Sequence, residues 1–375
     1  MAAGVSSVDC APHAAPTHGG PDAAGVPLFD FSTNSNACGP CPEAQQAVQA
    51  ADATRYPDPA YTALRERLAA FHGVAPGRVV VAASASEFIH RITALAAQRG
   101  AVQVSVPVHS YGDYAHAAQV HGLAVVRGAG VAAGLQWACE PSSPLGWADL
   151  AVRAWQRERA EWNGGTDDGR AAGVARVLDC AYAPLRLDPE HAWAGSPSAH
   201  LPTDCWQLWT PNKALGLTGV RAAYAIAPAG ADDLVRALVA LAPSWPVGAH
   251  GVALLQAWVS PAAQQWLVRS LGTLRGWKAR QLALCGDLGW AVHAGSLANY
   301  FCAQPVSPSL PDDLAALRAA GIKLRDATSF GLPGSVRLGV VPPAAQDALR
   351  EAWSTLGGGR TIAGTHHSTG SGDTL

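Results

Sequence analysis

Short apolar runs alternate with helical periodicity through the first two thirds of this chain, and that alternation restricts its fold more than any other feature. The runs at 78–82, 101–106, 123–126, 174–178 and 221–227 are too short for buried helices and read as strands. Helical patterns at 61–72 and 87–98 lie among them. Strands separated by helices imply an α/β fold with a mostly parallel sheet between helices. A long helical stretch at 250–284, followed by apolar runs at 290–293 and 298–303, predicts a smaller C-terminal α+β domain.

At 375 residues the chain exceeds what one core usually organises. The division expected is a flexible N-terminal arm over 1–27, a large domain over 28–255, a small domain over 256–356 and a disordered tail over 357–375, the two ends being rich in Gly, Ala, Pro, Ser and Thr. Hydrophobic residues at 49% against 14% charged imply a folded chain with extensive burial or a subunit interface. A net charge of −2 gives no electrostatic reason to expect nucleic acid. No uninterrupted apolar run has the length of a bilayer span, and no basic segment with an apolar core opens the chain; a reduced cytoplasm is the expectation. The eight cysteines show no metal-ligand spacing apart from Cys38 and Cys41. Cys38 and Cys41 form a C-x-x-C in a Pro/Gly-rich segment rather than at a strand-to-helix junction, a weak redox signal.

The chain has only three lysines, Lys213, Lys278 and Lys323. Lys213 lies in Thr210-Pro211-Asn212-Lys213, between apolar segments and eight residues before Arg221. An amine can be deprotonated and attack a carbonyl, which a guanidinium does not do; a surface lysine in a turn is the bland alternative. Asp179 ends an apolar strand and is followed by Tyr182, at the kind of strand end where open α/β sheets place ligands. Alone it would be an ordinary helix cap. Ser84-Ala85-Ser86 opens a helix after a strand, where backbone amides and hydroxyls can receive an anion.

Together these residues resemble the fold-type I pyridoxal phosphate enzymes, in the branch of histidinol-phosphate aminotransferase and threonine-phosphate decarboxylase, over roughly residues 28 to 355. The resemblance implies pyridoxal 5'-phosphate as cofactor. In it Lys213 would carry the cofactor as a Schiff base, Asp179 would pair with the pyridine nitrogen and Tyr182 would hydrogen-bond the ring hydroxyl. Thr210, Arg221, Ser84, Ala85 and Ser86 would hold the phosphate, and Tyr111 would stack on the ring. Tyr56, in Arg55-Tyr56-Pro57-Asp58-Pro59, would reach the cofactor phosphate of a partner subunit, which implies a homodimer. Asn36, in the loop 34–40, lies on the substrate side, and Arg337 matches the arginine that grips the substrate carboxylate. The family's N-P-N-N-P-T-G loop is Glu140-Pro141-Ser142-Ser143-Pro144-Leu145-Gly146 here, with Ser143 in place of the asparagine that donates to the ring hydroxyl.

Cofactor motifs do not name the reaction, because the enzyme selects which bond at the substrate Cα is weakened. Three segments resemble threonine-phosphate decarboxylase of cobalamin side-chain synthesis: His18-Gly19-Gly20, the stretch from Arg325 to Leu332, and Ser244-Trp245-Pro246-Val247. The expected reaction is decarboxylation of an amino acid phosphate, with Arg325 and His18 as further substrate contacts. A histidinol-phosphate-type aminotransferase using 2-oxoglutarate is the alternative, and a catalytically silent scaffold is a third reading.

Overall fold

In the computed structural model the residues described are 19–129, 131–161, 175–197 and 200–358. Among them seven strands form a sheet in the order Val79–Ala82, Ala223–Ile226, Trp206–Trp209, Ala175–Asp179, Leu135–Cys139, Gln103–Val106, Ala124–Arg127. Ala223–Ile226 runs antiparallel to both neighbours and every other pairing is parallel, so the sheet is mixed and mostly parallel. Helices cover both faces, which is why strands such as Val79–Ala82 and Ala223–Ile226 are buried at every position.

All five strands expected in this part of the chain form within a few residues of their predicted bounds. Two others, Leu135–Cys139 and Trp206–Trp209, were not anticipated. Gln136 and Gln207 interrupt their apolar character, and both are satisfied internally. Trp155 Nε1 donates to Gln136 Oε1 at 3.0 Å, and Gln207 Nε2 donates to the Pro202 carbonyl at 2.8 Å. The indoles of Trp137, Trp206, Trp209 and Trp258 are almost wholly enclosed, which accounts for much of the tryptophan content as core.

The stretch expected as one long helix is two, Ala249–Trp258 and Pro261–Asp287. Pro261 cannot donate into a continuing helix but suits a first turn, and Ser260 caps that turn by accepting from the Ala263 amide at 3.2 Å.

Beyond it a four-stranded antiparallel sheet has the order Arg325–Asp326, Val336–Gly339, Tyr300–Gln304, Ala291–Val292. Phe301, Leu338, Leu349 and Phe31 share its core. Phe31 arrives there because Phe29–Asp30 pairs in parallel with Ile322–Lys323, so the segment near residue 28 joins the C-terminal sheet's core.

Residues 19–27, assigned to the flexible arm by composition, are instead tied down. Asp22 bridges Arg318 at 2.8 Å and Lys323 at 2.9 Å, and these two cations hold its carboxyl well below the usual range. Residues 1–18 and 359–375 lie outside the described set, as does His18; the helix Pro343–Gly358 takes in the first two residues assigned to the tail. Among the described residues no helix is long and apolar enough to cross a membrane.

Candidate active site

The strand ends of the larger sheet converge on Lys213. Asp179 is fully buried, and its two oxygens accept from the Tyr114 hydroxyl at 2.7 Å and the Ala181 amide at 2.9 Å. Burial nevertheless raises its pKa, against the lowering effect of those hydrogen bonds and of Lys213. Tyr114 is held in turn by stacking on Trp137, with ring centroids 4.5 Å apart. The carboxylate is therefore rigidly placed, and a cationic partner would relieve its desolvation.

Lys213 Nζ lies 5.4 Å from the centre of the Tyr182 ring. Its backbone is clamped, with the carbonyl accepting from the Asn36 amide at 2.9 Å and the amide donating to Asn212 Oδ1 at 3.1 Å. The Tyr182 hydroxyl accepts from Asn34 Nδ2 at 3.3 Å, and its ring meets Tyr300 edge-on. The Tyr300 hydroxyl donates to the Ser142 carbonyl at 2.8 Å, fixing the turn that carries the buried Ser143.

The helix Ala85–Gln98 begins nearby with a sequence-encoded cap. Ser84 Oγ accepts from the Glu87 amide and Glu87 accepts from the Ala83 amide, each at 3.1 Å, close to a capping box. The amides of Ala85 and Ser86 have no intrahelical partners and can bind an anion at the positive end of the helix. Ser86 Oγ lies 3.3 Å from the Tyr111 hydroxyl and donates to Asp113 at 2.5 Å.

Two further groups await a partner. Thr210 Oγ1 is buried without a hydrogen bond among the described residues. Arg221 is exposed and has no ion pair among them.

On the other side the strands Arg325–Asp326 and Val336–Gly339 place Arg325 opposite Arg337. Both are buried, and both guanidiniums approach the Phe330 ring, at 4.7 Å and 5.3 Å from its centroid. Burial first, and the neighbouring Arg337 second, lower the pKa of Arg325. Arg337 donates to the Ser32 carbonyl at 3.0 Å but its Nε has no partner, and Asn34 Oδ1 and Asn299 Oδ1 are likewise unsatisfied. Buried unpaired polar groups are costly, and a bound anion with donors of its own would relieve these.

Asn36, expected on the substrate side, has its side-chain groups occupied by the protein itself. Its amide donates to the Ala214 carbonyl at 3.1 Å and to Ser270 Oγ at 2.8 Å, while Oδ1 accepts from the Cys38 amide. It braces the Lys213 turn, and the asparagine with an open acceptor is Asn34, two residues earlier. Sequence reading also passed over Tyr114 and Tyr300; the three-residue spacing of Tyr111 and Tyr114 at a helix start was the available signal. Tyr56 is 79% exposed, stacks on Trp245 at 4.4 Å and takes no part in the cluster within one chain. Cys38 and Cys41 are unpaired thiols whose pKa values burial raises.

A buried carboxylate at a strand end, a lysine facing a phenol and a cradle of amides with an orphaned hydroxyl are the groups a phosphorylated pyridine aldehyde requires. The model of aminotransferase class I and II matches residues 26–132 and 172–355. The chain belongs to that family. It is a pyridoxal 5'-phosphate-dependent enzyme.

Among curated relatives, a histidinol-phosphate aminotransferase of Rhodospirillum centenum is 26% identical over 365 residues, covering 92% of this chain and 95% of its own. The structure of histidinol-phosphate aminotransferase from Sinorhizobium meliloti in complex with pyridoxal-5'-phosphate has a TM-score of 0.68 at 20% identity, covering 86% of this chain and 90% of that one. That of L-threonine-O-3-phosphate decarboxylase from Porphyromonas gingivalis has a TM-score of 0.68 at 20% identity, covering 88% and 99%. These two likenesses are of fold.

Proposed function

We propose that this aminotransferase-family enzyme decarboxylates L-threonine O-3-phosphate to (R)-1-aminopropan-2-yl phosphate. The observation that carries the reading is the packing of the N-terminal arm beside the arginine pair. The Gly20 amide donates to Ser32 Oγ at 2.8 Å, and a Cβ on Gly19 would stand 2.2 Å from the Ser32 carbonyl oxygen. That same carbonyl accepts from Arg337. Gly19 and Gly20 thus pack against the residue that Arg337 contacts, and two neighbouring guanidiniums would suit a substrate bearing both a carboxylate and a phosphate.

Bound pyridoxal phosphate supplies an aldehyde that condenses with amines and a ring that takes up the electron pair left when a bond at Cα breaks. Lys213 Nζ would be the amine that holds that aldehyde and would carry a proton to and from the substrate Cα. Asp179 would keep the ring nitrogen protonated, and Tyr182, whose hydroxyl accepts from Asn34, would hydrogen-bond the ring hydroxyl, with Ser143 as a shorter donor than the family asparagine. Thr210, Arg221 and the amides of Ala85 and Ser86 hold the phosphate, and Tyr111 flanks the ring. Arg337 takes the carboxylate and Arg325 the substrate phosphate. Tyr56, exposed beside Trp245, completes the site of a second copy in a homodimer, in the cytoplasm.

The curated relatives favour a second reading, transamination of histidinol phosphate with 2-oxoglutarate. The two separate on one experiment. Carbon dioxide released from threonine phosphate without an oxo acid is the expected result; turnover only with histidinol phosphate plus 2-oxoglutarate rejects the decarboxylase.

A further inference from the structure

A hydrogen bond joins the loop following Gln103–Val106, in the larger sheet, to the turn between Arg325–Asp326 and Val336–Gly339, in the smaller one. His109 Nδ1 lies 2.8 Å from the Phe330 carbonyl oxygen. A carbonyl only accepts, so Nδ1 carries the proton and donates. Gly331 permits the approach: its φ is +80°, and a Cβ there would come within 3.3 Å of His109 Nδ1, tight for a residue already in the left-handed region. On its own side the His109 loop is braced by Arg127, which donates to the Val108 carbonyl at 3.3 Å.

The turn it holds is the platform of the arginine pair. Thr328–Phe330 form one 3-10 turn. Arg325 donates to Ser329 Oγ at 2.8 Å, and both Arg325 and Arg337 lie against the Phe330 ring. Two like charges on one ring need that ring fixed, since the attraction falls away as a cation leaves its face. Thr328 and Ser329 are exposed, so burial alone does not fix the turn.

We infer that His109 is a positioning residue for substrate recognition, latching the Phe330 turn to the cofactor side so that Arg325 and Arg337 present their guanidiniums together. This rests on the reading of the arginine pair as the substrate anion site. His109 also stands two residues before Tyr111, so the latch ties the groups on the cofactor side to those on the substrate side.

The test uses His109→Ala, His109→Asn and Arg337→Ala in the holoenzyme, with threonine phosphate as the probe. His109→Ala is expected to speed exchange of the Phe330, Gly331 and Leu332 amides and to raise KM by roughly three- to tenfold, the size of one lost hydrogen bond, with kcat and the cofactor absorbance little changed. His109→Asn, whose Nδ2–H can occupy the place of Nδ1–H, is expected to restore both. Unchanged exchange, or faster exchange with unchanged KM, overturns the latch when Arg337→Ala does raise KM. An Asn variant as impaired as the Ala variant also overturns it. If Arg337→Ala leaves KM unchanged, the substrate reading of the pair fails and the inference falls with it.

Discussion

At the end of the strand Ala175–Asp179 the protein itself answers a buried charge, whereas along Val336–Gly339 it leaves one partly open. Asp179 receives hydrogen bonds from Tyr114 and Ala181. Arg337 has one carbonyl partner, an unpartnered Nε and a second guanidinium beside it. The first arrangement is closed within the protein, and the second leaves a donor that the proposed substrate anion would take up. A group that must tune a bound ring benefits from being held beforehand, while one that must recognise a substrate needs donors left over.

The largest effect that would sharpen this contrast is at the lysine between the two regions. Lys213→Ala is expected to abolish turnover, and borohydride reduction of the wild-type holoenzyme should leave a phosphopyridoxyl adduct on Lys213 by mass spectrometry. An adduct on Lys278 or Lys323 would reject the site.

Asp179→Asn and Arg337→Ala should then fail differently. The first is expected to lower kcat by about 10²–10³-fold with KM nearly unchanged, as for loss of a preorganised charge that acts in the transition state. The second should raise KM for a carboxylate substrate by roughly 10²-fold, as for truncating one partner of a buried charge pair. Equal effects on kcat and KM from both variants would break the comparison.

Asn36 and Asn34 repeat the contrast on a smaller scale. Asn36→Ala removes a side chain bonded to Ala214, Ser270 and Cys38 and should lower unfolding stability by about 1–3 kcal/mol. Asn34→Ala, whose Oδ1 is unsatisfied, should cost less stability and more activity. Denaturant titration beside steady-state kinetics separates them.

The smallest effect concerns His72, a half-buried histidine away from both regions. Its Nε2 lies 2.8 Å from the Tyr224 hydroxyl, and desolvation pushes its pKa down to about 3 from 6.5. The unfolded chain therefore binds the proton first, so the contribution of neutral His72 is complete above pH 6.5 and is lost as pH falls toward about 3. His72→Gln should flatten the stability profile over that window, as read by thermal unfolding at several pH values.

The family and its cofactor were legible in the sequence because the signals that carry them are local. Thr210, Lys213 and Arg221 share one short segment, Asp179 ends an apolar strand, and Ser84 and Glu87 encode the start of a helix. The residues proposed for the substrate side depend less on local signals. Asn34 and Asn36 are chemically identical and two residues apart, and which one is occupied depends on Ser270 and Ala214, more than 170 residues away.

Periodicity and turn chemistry thus determined the α/β character, most of the strands and the lysine's neighbourhood, since these depend on spacing along the chain. Tertiary structure alone decided that Gln136 and Gln207 could sit in central strands, that residues 19–27 join the C-terminal sheet's side, and that His109 reaches Phe330. Each of those depends on whether a distant polar group arrives to satisfy a donor or an acceptor, and single-chain patterning carries no record of that.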